Sequence, residues 1–435
     1  MSIIQRPGDG NSISTTSNVS EETIQVSSRQ STTRRQFLSN VTKTALALTG
    51  ASSMSMLAAA CGGTPPNVNT GSQVTLQWYF EANPDEAALA KKIVNKFMAQ
   101  NPDIKIVIQL GDLSHQEQKL RTEIAAGSVP DIIRLAELGY GAYAKQGLLA
   151  DLNTFIKKDQ QFQDEVQSQE YPALVNTFTW EGKYYVIPEQ VTHTALFYNV
   201  DHLRAAGLTM PTSWDDTSWT WDKFLNYATR LTQSSGGRTT RYGFAEAWWW
   251  PMTATSVLAA ANGGMWFDQP VNPGPKSSNL SDPNIVETVQ WYADLSNVHK
   301  VAAGDRALQS QSGFQLFQTG KASMCIVGHW YYSAFAGTPG LHFDIAPIPI
   351  GPHGGSHSLT NIGGTGVAVS SKTKYPEQAW RFAKYWGGVE ATKMRNIWVP
   401  TLLSVGQSQA YLQSNSAMAH ANLFIDVLAK GYVHS

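Results

Sequence analysis

The segment VTLQWYFEANPDEAALAKKIVNKFMAQNPDIKIVIQL, residues 74–110, constrains the fold more than any other stretch, because it reads strand, helix, strand without a break. Leu89, Ile93 and Phe97 recur at helical spacing. Asn83 stands as an N-cap with Pro84 at the first helical position and Glu86 three residues on, and Asn101-Pro102 ends the run. IKIVIQL is then almost continuously apolar, as a strand covered on both faces requires. A helix carrying the chain between neighbouring strands in this way makes a parallel crossover.

The alternation continues. Ser114 and Glu117 form a capping-box pair, Leu120 and Ile124 share a helix face, Gly127 is a stop, and PDIIRL is the next strand. TALFYNVDHL, NIVETVQWYADLSNV, KASMCIVGHW and TGVAVSSK repeat the pattern, which assigns a doubly wound α/β architecture. At 435 residues the chain exceeds the usual single domain, so two are expected.

In open parallel sheets ligands sit at the carboxyl ends of strands. That rule singles out Tyr79, Phe80 and Glu81 after the first strand, Gly111 and Asp112 after the second, and Glu137 after the third. A net charge of −1 offers no footprint for nucleic acid or an anionic membrane surface. The inflated class is aromatic, with 14 Trp, 16 Tyr and 16 Phe, and three tryptophans stand together in GFAEAWWWPMT, residues 243–253, where they cannot all face one core. Trp78, Trp219, Trp221, Trp291 and Trp380 fall on strand or helix patterns and read as core.

Catalytic signatures are missing from the sequence: there is no GxGxxG or P-loop cradle, no GxSxG elbow and no HExxH pair. Neither a cofactor nor a metal is expected. Of the two cysteines, Cys325 lies in an apolar strand and reads as a small core residue, while Cys61 follows an apolar run in LAAACGG.

The N-terminus reads as an address. Residues 1–33 are polar and without periodicity; Thr33-Arg34-Arg35-Gln36-Phe37-Leu38 resembles a twin-arginine signal, and Ala58-Ala59-Ala60-Cys61 resembles a lipoprotein cleavage site. The resemblance implies export and a lipidated Cys61 anchoring the chain to the outer face of the cytoplasmic membrane, with 61–73 as a flexible tether.

GSVPDIIRLAELGYGAYAKQGLLADL, GKYYVIPEQVTHTALFYNVDHLRAAGL, WTWDKFLNYATRL, ANGGMWF, FQTGKASMCIVGHW and FDIAPIPIGPHGG occur in this order. Together they resemble the extracellular solute-binding proteins of ATP-binding-cassette importers, in the branch of maltodextrin and other sugar binders. The resemblance implies a two-lobed periplasmic-binding-protein-like fold of type II, each lobe a sheet flanked by helices with a ligand cleft between them. Lobe one would be 74–187 with 367–412 and lobe two 188–366 with 413–435; the family continues with further C-terminal helices where this chain stops at FIDVLAKGYVHS, so either those helices are absent or the C-terminus is truncated. In the maltodextrin binders' pattern, Glu246 and Trp248 would contact sugar and Trp330 would stack on a ring. Where that pattern has an aromatic and an acidic-basic pair, this chain has Leu135, Leu138 and Gly139. Glu137 remains available to hydroxyls, and Glu189, His193 and Asn262 are further candidates near the lobe crossing and the ANGG turn.

Each candidate has a plainer alternative: core packing for Trp248 and Trp330, packing or rim for Trp249 and Trp250, helix-terminus capping for Glu81 and Asp112. Asp131 reads as structural. The expectation is a membrane-tethered, monomeric, non-enzymatic receptor that delivers a sugar or oligosaccharide to the permease subunits of an importer. The alternatives are a binder of another polar solute, such as a glycerophosphodiester or polyamine, and a secreted carbohydrate-active enzyme.

Overall fold

The computed structural model describes residues 73–82, 84–111, 118–246, 252–268, 276–395 and 398–434. The signal, Cys61, the caps at Asn83 and at Ser114 with Glu117, and Trp248 to Trp250 lie outside them.

Ten strands build two five-stranded sheets. Along the chain they are β1 (Val74–Glu81), β2 (Ile104–Gly111), β3 (Ile132–Ala136), β4 (Val186–Thr192), β5 (Thr194–Asn199), β6 (Gln233–Ser235), β7 (Arg238–Glu246), β8 (Ala322–Gly328), β9 (Phe343–Ala346) and β10 (Gly363–Val369). Sheet one has the order β2-β1-β3-β10-β4 and sheet two β9-β5-β8-β7-β6.

The segment that opened the argument forms as read. Pro84–Gln100 is a helix, its stripe of Ile93, Val94 and Phe97 is buried, and β1 pairs with β2 in parallel from Val74↔Ile104 to Glu81↔Gly111. Asp131 is structural: its carboxylate accepts from the Gln77 backbone N–H at 2.8 Å and from the Thr373 hydroxyl at 2.6 Å, tying β1 to the turn after β10. The doubly wound reading misses one feature. β10 runs antiparallel to both β3 and β4, and β5 antiparallel to β8 and β9, so both sheets are mixed. Apolar periodicity reports how a strand is buried, not which way it runs, and β10 joins sheet one only after the whole of sheet two has been built.

Cores follow from these layers. On sheet one the helix Pro376–Gly387 lays Phe382 and Trp386 edge-on to Trp78, at 5.1 and 4.6 Å between ring centroids. Around sheet two, Phe224 of the helix Trp221–Leu231 meets Phe244 at 5.4 Å, and Trp221 stacks on Trp291 at 4.2 Å. Trp78, Trp219, Trp221 and Trp380 are buried as read, Trp291 is half-buried, and Cys325 is a buried core residue. The C-terminal segment lies against sheet two, where the Trp214 indole N–H donates to the Leu423 carbonyl at 2.9 Å and His420 meets Asp344 at 2.6 Å.

Candidate ligand-binding cleft

Strand register places the candidate site. In sheet one Thr192, the last residue of β4, pairs with Gly363; in sheet two Thr194, the first of β5, pairs with Gly328, the last of β8. A single residue, His193, separates those two positions. The carboxyl ends of β1, β3 and β4 in sheet one and of β7 and β8 in sheet two therefore converge on one junction, as a cleft between two α/β lobes requires. A second crossing reinforces it: the Thr194 hydroxyl donates to the Asn361 side-chain oxygen at 2.8 Å, and the Thr360 hydroxyl donates to the Thr194 carbonyl at 2.7 Å.

On the sheet-one side, the half-buried Glu81 accepts from the Tyr79 hydroxyl at 2.9 Å. Burial, followed by the neighbouring Glu81, pushes the Tyr79 pKa up. Gly111 makes the room, since a Cβ there would stand 2.6 Å from the Tyr79 hydroxyl oxygen and 2.7 Å from Glu81 Cγ. Glu137, also half-buried, accepts from the Gly364 N–H at 3.0 Å, and a Cβ on Gly363 would come 2.4 Å from its Oε1. Burial raises its pKa.

Behind this edge lies a buried ionic network. Arg134, from β3, donates Nε to Glu189 of β4, Nη1 to the Glu81 carbonyl, and Nη2 to the Thr365 hydroxyl of β10 at 3.1 Å, with Glu86 3.6 Å away. The Trp386 indole N–H and the Thr365 hydroxyl, the latter at 3.0 Å, complete Glu189. Burial opposes ionisation of Glu189, but the guanidiniums of Arg134 and Arg395 hold its carboxyl below the usual value. Arg395 donates to the Trp386 carbonyl at 2.8 Å and lies 4.6 Å from the Trp386 ring; burial lowers its pKa to about 10.

On the sheet-two side, Glu246 ends β7 opposite Ile326, two residues before Gly328, and is almost wholly buried as acceptor of the Tyr292 hydroxyl. Gly328 leads into the 3-10 turn His329–Tyr331, whose half-buried Trp330 folds back over the strand end. His329 turns inward, with Nε2 2.7 Å from the Asn415 side-chain oxygen and its ring edge-on to Phe424 at 4.9 Å. His193 also meets Phe424 edge-on, at 5.0 Å. Burial lowers the pKa of His193 to about 3 and of His329 to about 4, so both rings are neutral at pH 7.

The junction thus gathers Glu81, Glu137, Glu246 and Trp330. It does not expose four other candidates. Tyr79, Glu189, His193 and Asn262 are at most 1% exposed. Tyr79 is committed to Glu81, Glu189 to Arg134 and Trp386, His193 packs its ring on Phe424 at the crossing, and Asn262 is a brace: its amide donates to Glu287 at 2.9 Å and to the Asn284 carbonyl at 3.2 Å and accepts from the His353 N–H at 2.9 Å. Their place is behind the edge and not on it. Asp112 and Trp248 lie outside the described residues. Sequence reasoning missed Arg134, whose signal was available: one arginine inside a strand covered on both faces needs a buried acid. Tyr292 carries no such signal. Among the described residues no group of three or more His, Cys, Asp or Glu could hold a metal, and no helix is long and apolar enough to cross a membrane.

A sequence model described as bacterial extracellular solute-binding protein matches residues 82–393. A maltotriose-binding protein of Pyrococcus abyssi is 25% identical over 321 residues, a match spanning 72% of this chain and 62% of that relative's length. Among solved structures, an ABC substrate-binding protein of Listeria monocytogenes in complex with cycloalternan is 26% identical with a TM-score of 0.69, covering 83% of this chain and 87% of that one. UgpB of Mycobacterium tuberculosis, in complex with glycerophosphocholine, shares the fold at 17% identity, with a TM-score of 0.69 and coverage of 83% and 88%.

Proposed function

The chain belongs to the bacterial extracellular solute-binding protein family, and we propose that it captures a sugar or oligosaccharide and hands it to the permease subunits of an ATP-binding-cassette importer. The observation that carries this reading is the meeting of carboxylates and an indole at one junction. Glu81 and Glu137 stand on the sheet-one edge and Glu246 and Trp330 on the sheet-two edge. A sugar ring offers an apolar C–H face to a flat aromatic and hydroxyl donors to carboxylates, which is the chemistry such an edge provides. The relatives that bind maltotriose and cycloalternan support the same class. In this reading Glu81, Glu137, Glu246 and Trp330, together with Asp112 and Trp248, form the ligand surface. Tyr79, Glu189, His193 and Asn262 hold it in place. The receptor works as a monomer without enzymatic turnover, exported by its twin-arginine signal and anchored outside the cytoplasmic membrane through lipidated Cys61.

A second reading, a polar cationic solute such as a polyamine, draws on the same three carboxylates. A phosphodiester is disfavoured, because Arg134, which reaches the Glu81 carbonyl, is already engaged by Glu189. The test is thermal unfolding of the purified chain against maltotriose, mannotriose, cycloalternan, monosaccharides, spermidine and glycerophosphocholine. Stabilisation that saturates with a saccharide, without product release, is expected. Stabilisation by spermidine alone, or hydrolysis of a glycan, overturns the reading.

A further inference from the structure

Nothing in the backbone of Gly328 calls for glycine. Its φ of −89° and ψ of 167° are ordinary extended values that any residue adopts. The demand comes from space: a Cβ at this position would lie 1.8, 2.1 and 2.2 Å from Cζ3, Cη2 and Cε3 of Trp330. Real non-bonded carbons settle near 3.5–4 Å, so the six-membered ring of the indole is seated directly on the α-carbon of Gly328.

We infer that Gly328 is the positioning residue for the Trp330 indole. It fixes the ring against the end of β8, so that one face is closed by the strand and the other is turned to the junction. The inference rests on the reading of that junction as a saccharide site. Neighbouring contacts decide what would move if the space were filled. His329 is pinned through its hydrogen bond to Asn415 at 2.7 Å, and Tyr331 is pinned between Phe314 and Phe335, at 4.6 and 5.7 Å between centroids. Gly328 itself is held in the ladder opposite Thr194. With the backbone fixed on both sides, an added methyl group displaces the side chain, and a tryptophan side chain moves by changing rotamer, not by a small adjustment. The Gly-His-Trp sequence is then a unit in which glycine makes the seat, histidine locks the turn to the interlobe core, and tryptophan supplies the wall.

Two readouts test this. In the ligand-free chain labelled with 5-fluorotryptophan, the Trp330 resonance, assigned with Trp330→Phe, is expected to shift in Gly328→Ala while the other tryptophan resonances stay in place. For the saccharide that stabilises the wild type most, titration calorimetry is expected to show Gly328→Ala weakening binding by about tenfold, as much as Trp330→Ala, with the double variant no weaker than either alone. Should Gly328→Ala not fold, the double variant with Trp330→Ala is expected to fold, because the obstructing ring is gone. An unmoved Trp330 resonance, additive losses, or failure of the double variant to fold overturns the inference. If no saccharide binds the wild type, the sugar reading fails alone, and the fluorine spectrum still judges the seat.

Discussion

The two edges of the junction are held by different physics. On sheet one, β3, β10 and β4 are joined from behind by Arg134, Thr365 and Glu189, with Arg395 and the Trp386 indole completing a network whose charged members are almost fully buried. On sheet two the corresponding support is mostly neutral or aromatic, the Asp344–His420 pair apart: His329 on Asn415, Asn262 bracing the loop at His353, Trp221 stacked on Trp291, and the indole of Trp330 on Gly328. A buried ion pair is intolerant, since removing one partner strands the other in a medium that cannot solvate it. Neutral packing loses the contacts removed and leaves at most a cavity or an unpaired neutral group, a smaller penalty. The sheet-one edge is therefore the rigid half of the junction and the sheet-two edge the adjustable half.

The largest effect should come from breaking the ionic half. Glu189→Ala leaves Arg134 and Arg395 without their shared acid, and the expected cost is about 3–5 kcal/mol in the urea unfolding free energy. Asn262→Ala, the matching deletion of a buried brace near sheet two, is expected to cost about 1–3 kcal/mol, the penalty of unsatisfied hydrogen-bonding groups. Equal costs would erase the contrast between the edges.

Next comes the pH dependence, which should separate the halves in opposite directions. Glu170, whose neighbour Tyr184 donates to it at 3.2 Å, is buried without a cation, and burial raises its pKa to about 8 from 4.5. Its folded state binds the proton more tightly than the unfolded state, so its contribution to stability is full below pH 4.5 and is lost as pH rises through 8. His193 and His329 behave oppositely. Burial lowers them from 6.5 to about 3 and 4, so their contribution is full above pH 6.5 and is lost as pH falls toward those values. Between pH 6.5 and 8 the decline in melting temperature should belong to Glu170, and Glu170→Gln should flatten it. His329→Gln should instead soften the acid limb. A Glu170→Gln profile that still falls over this range would reassign the alkaline loss.

Much of the sheet-one fold was legible because its signals are local. The helix at 84–100 and the strands at 74–81, 104–111 and 132–136 follow from periodicity and from caps and stops within a few residues of each element. The insertion of β10 between β3 and β4 is a long-range event that no window of sequence contains. The site divides along the same line. Glu81 and Glu137 could be named because they follow strands, and Glu246 and Trp330 because their segments resemble a family. Glu189 and Asn262 lie behind the edge, and sequence could not tell this because a polar residue at the right place does not reveal whether its groups are already spent on neighbours. Only the structure shows that Arg134 takes up the first and the loop at His353 the second.

The smallest expected effect probes a carboxylate at the edge of the adjustable half. Tyr292 donates to Glu246, and burial together with that carboxylate raises the tyrosine pKa well above its ordinary value. Tyr292→Phe keeps the ring against Phe244, 6.4 Å away between centroids, and deletes only the hydroxyl. Its cost should be about 1.5 kcal/mol, the lower end for a hydrogen bond to a charged group and well below that of Glu189→Ala. In the Glu246→Gln background the same substitution should cost less, because the acceptor is then neutral, and a double-mutant cycle in urea measures the difference as a coupling energy. A coupling as large as the full cost of Glu189→Ala would mean that the sheet-two edge also rests on a buried charge, and that the two edges are built alike.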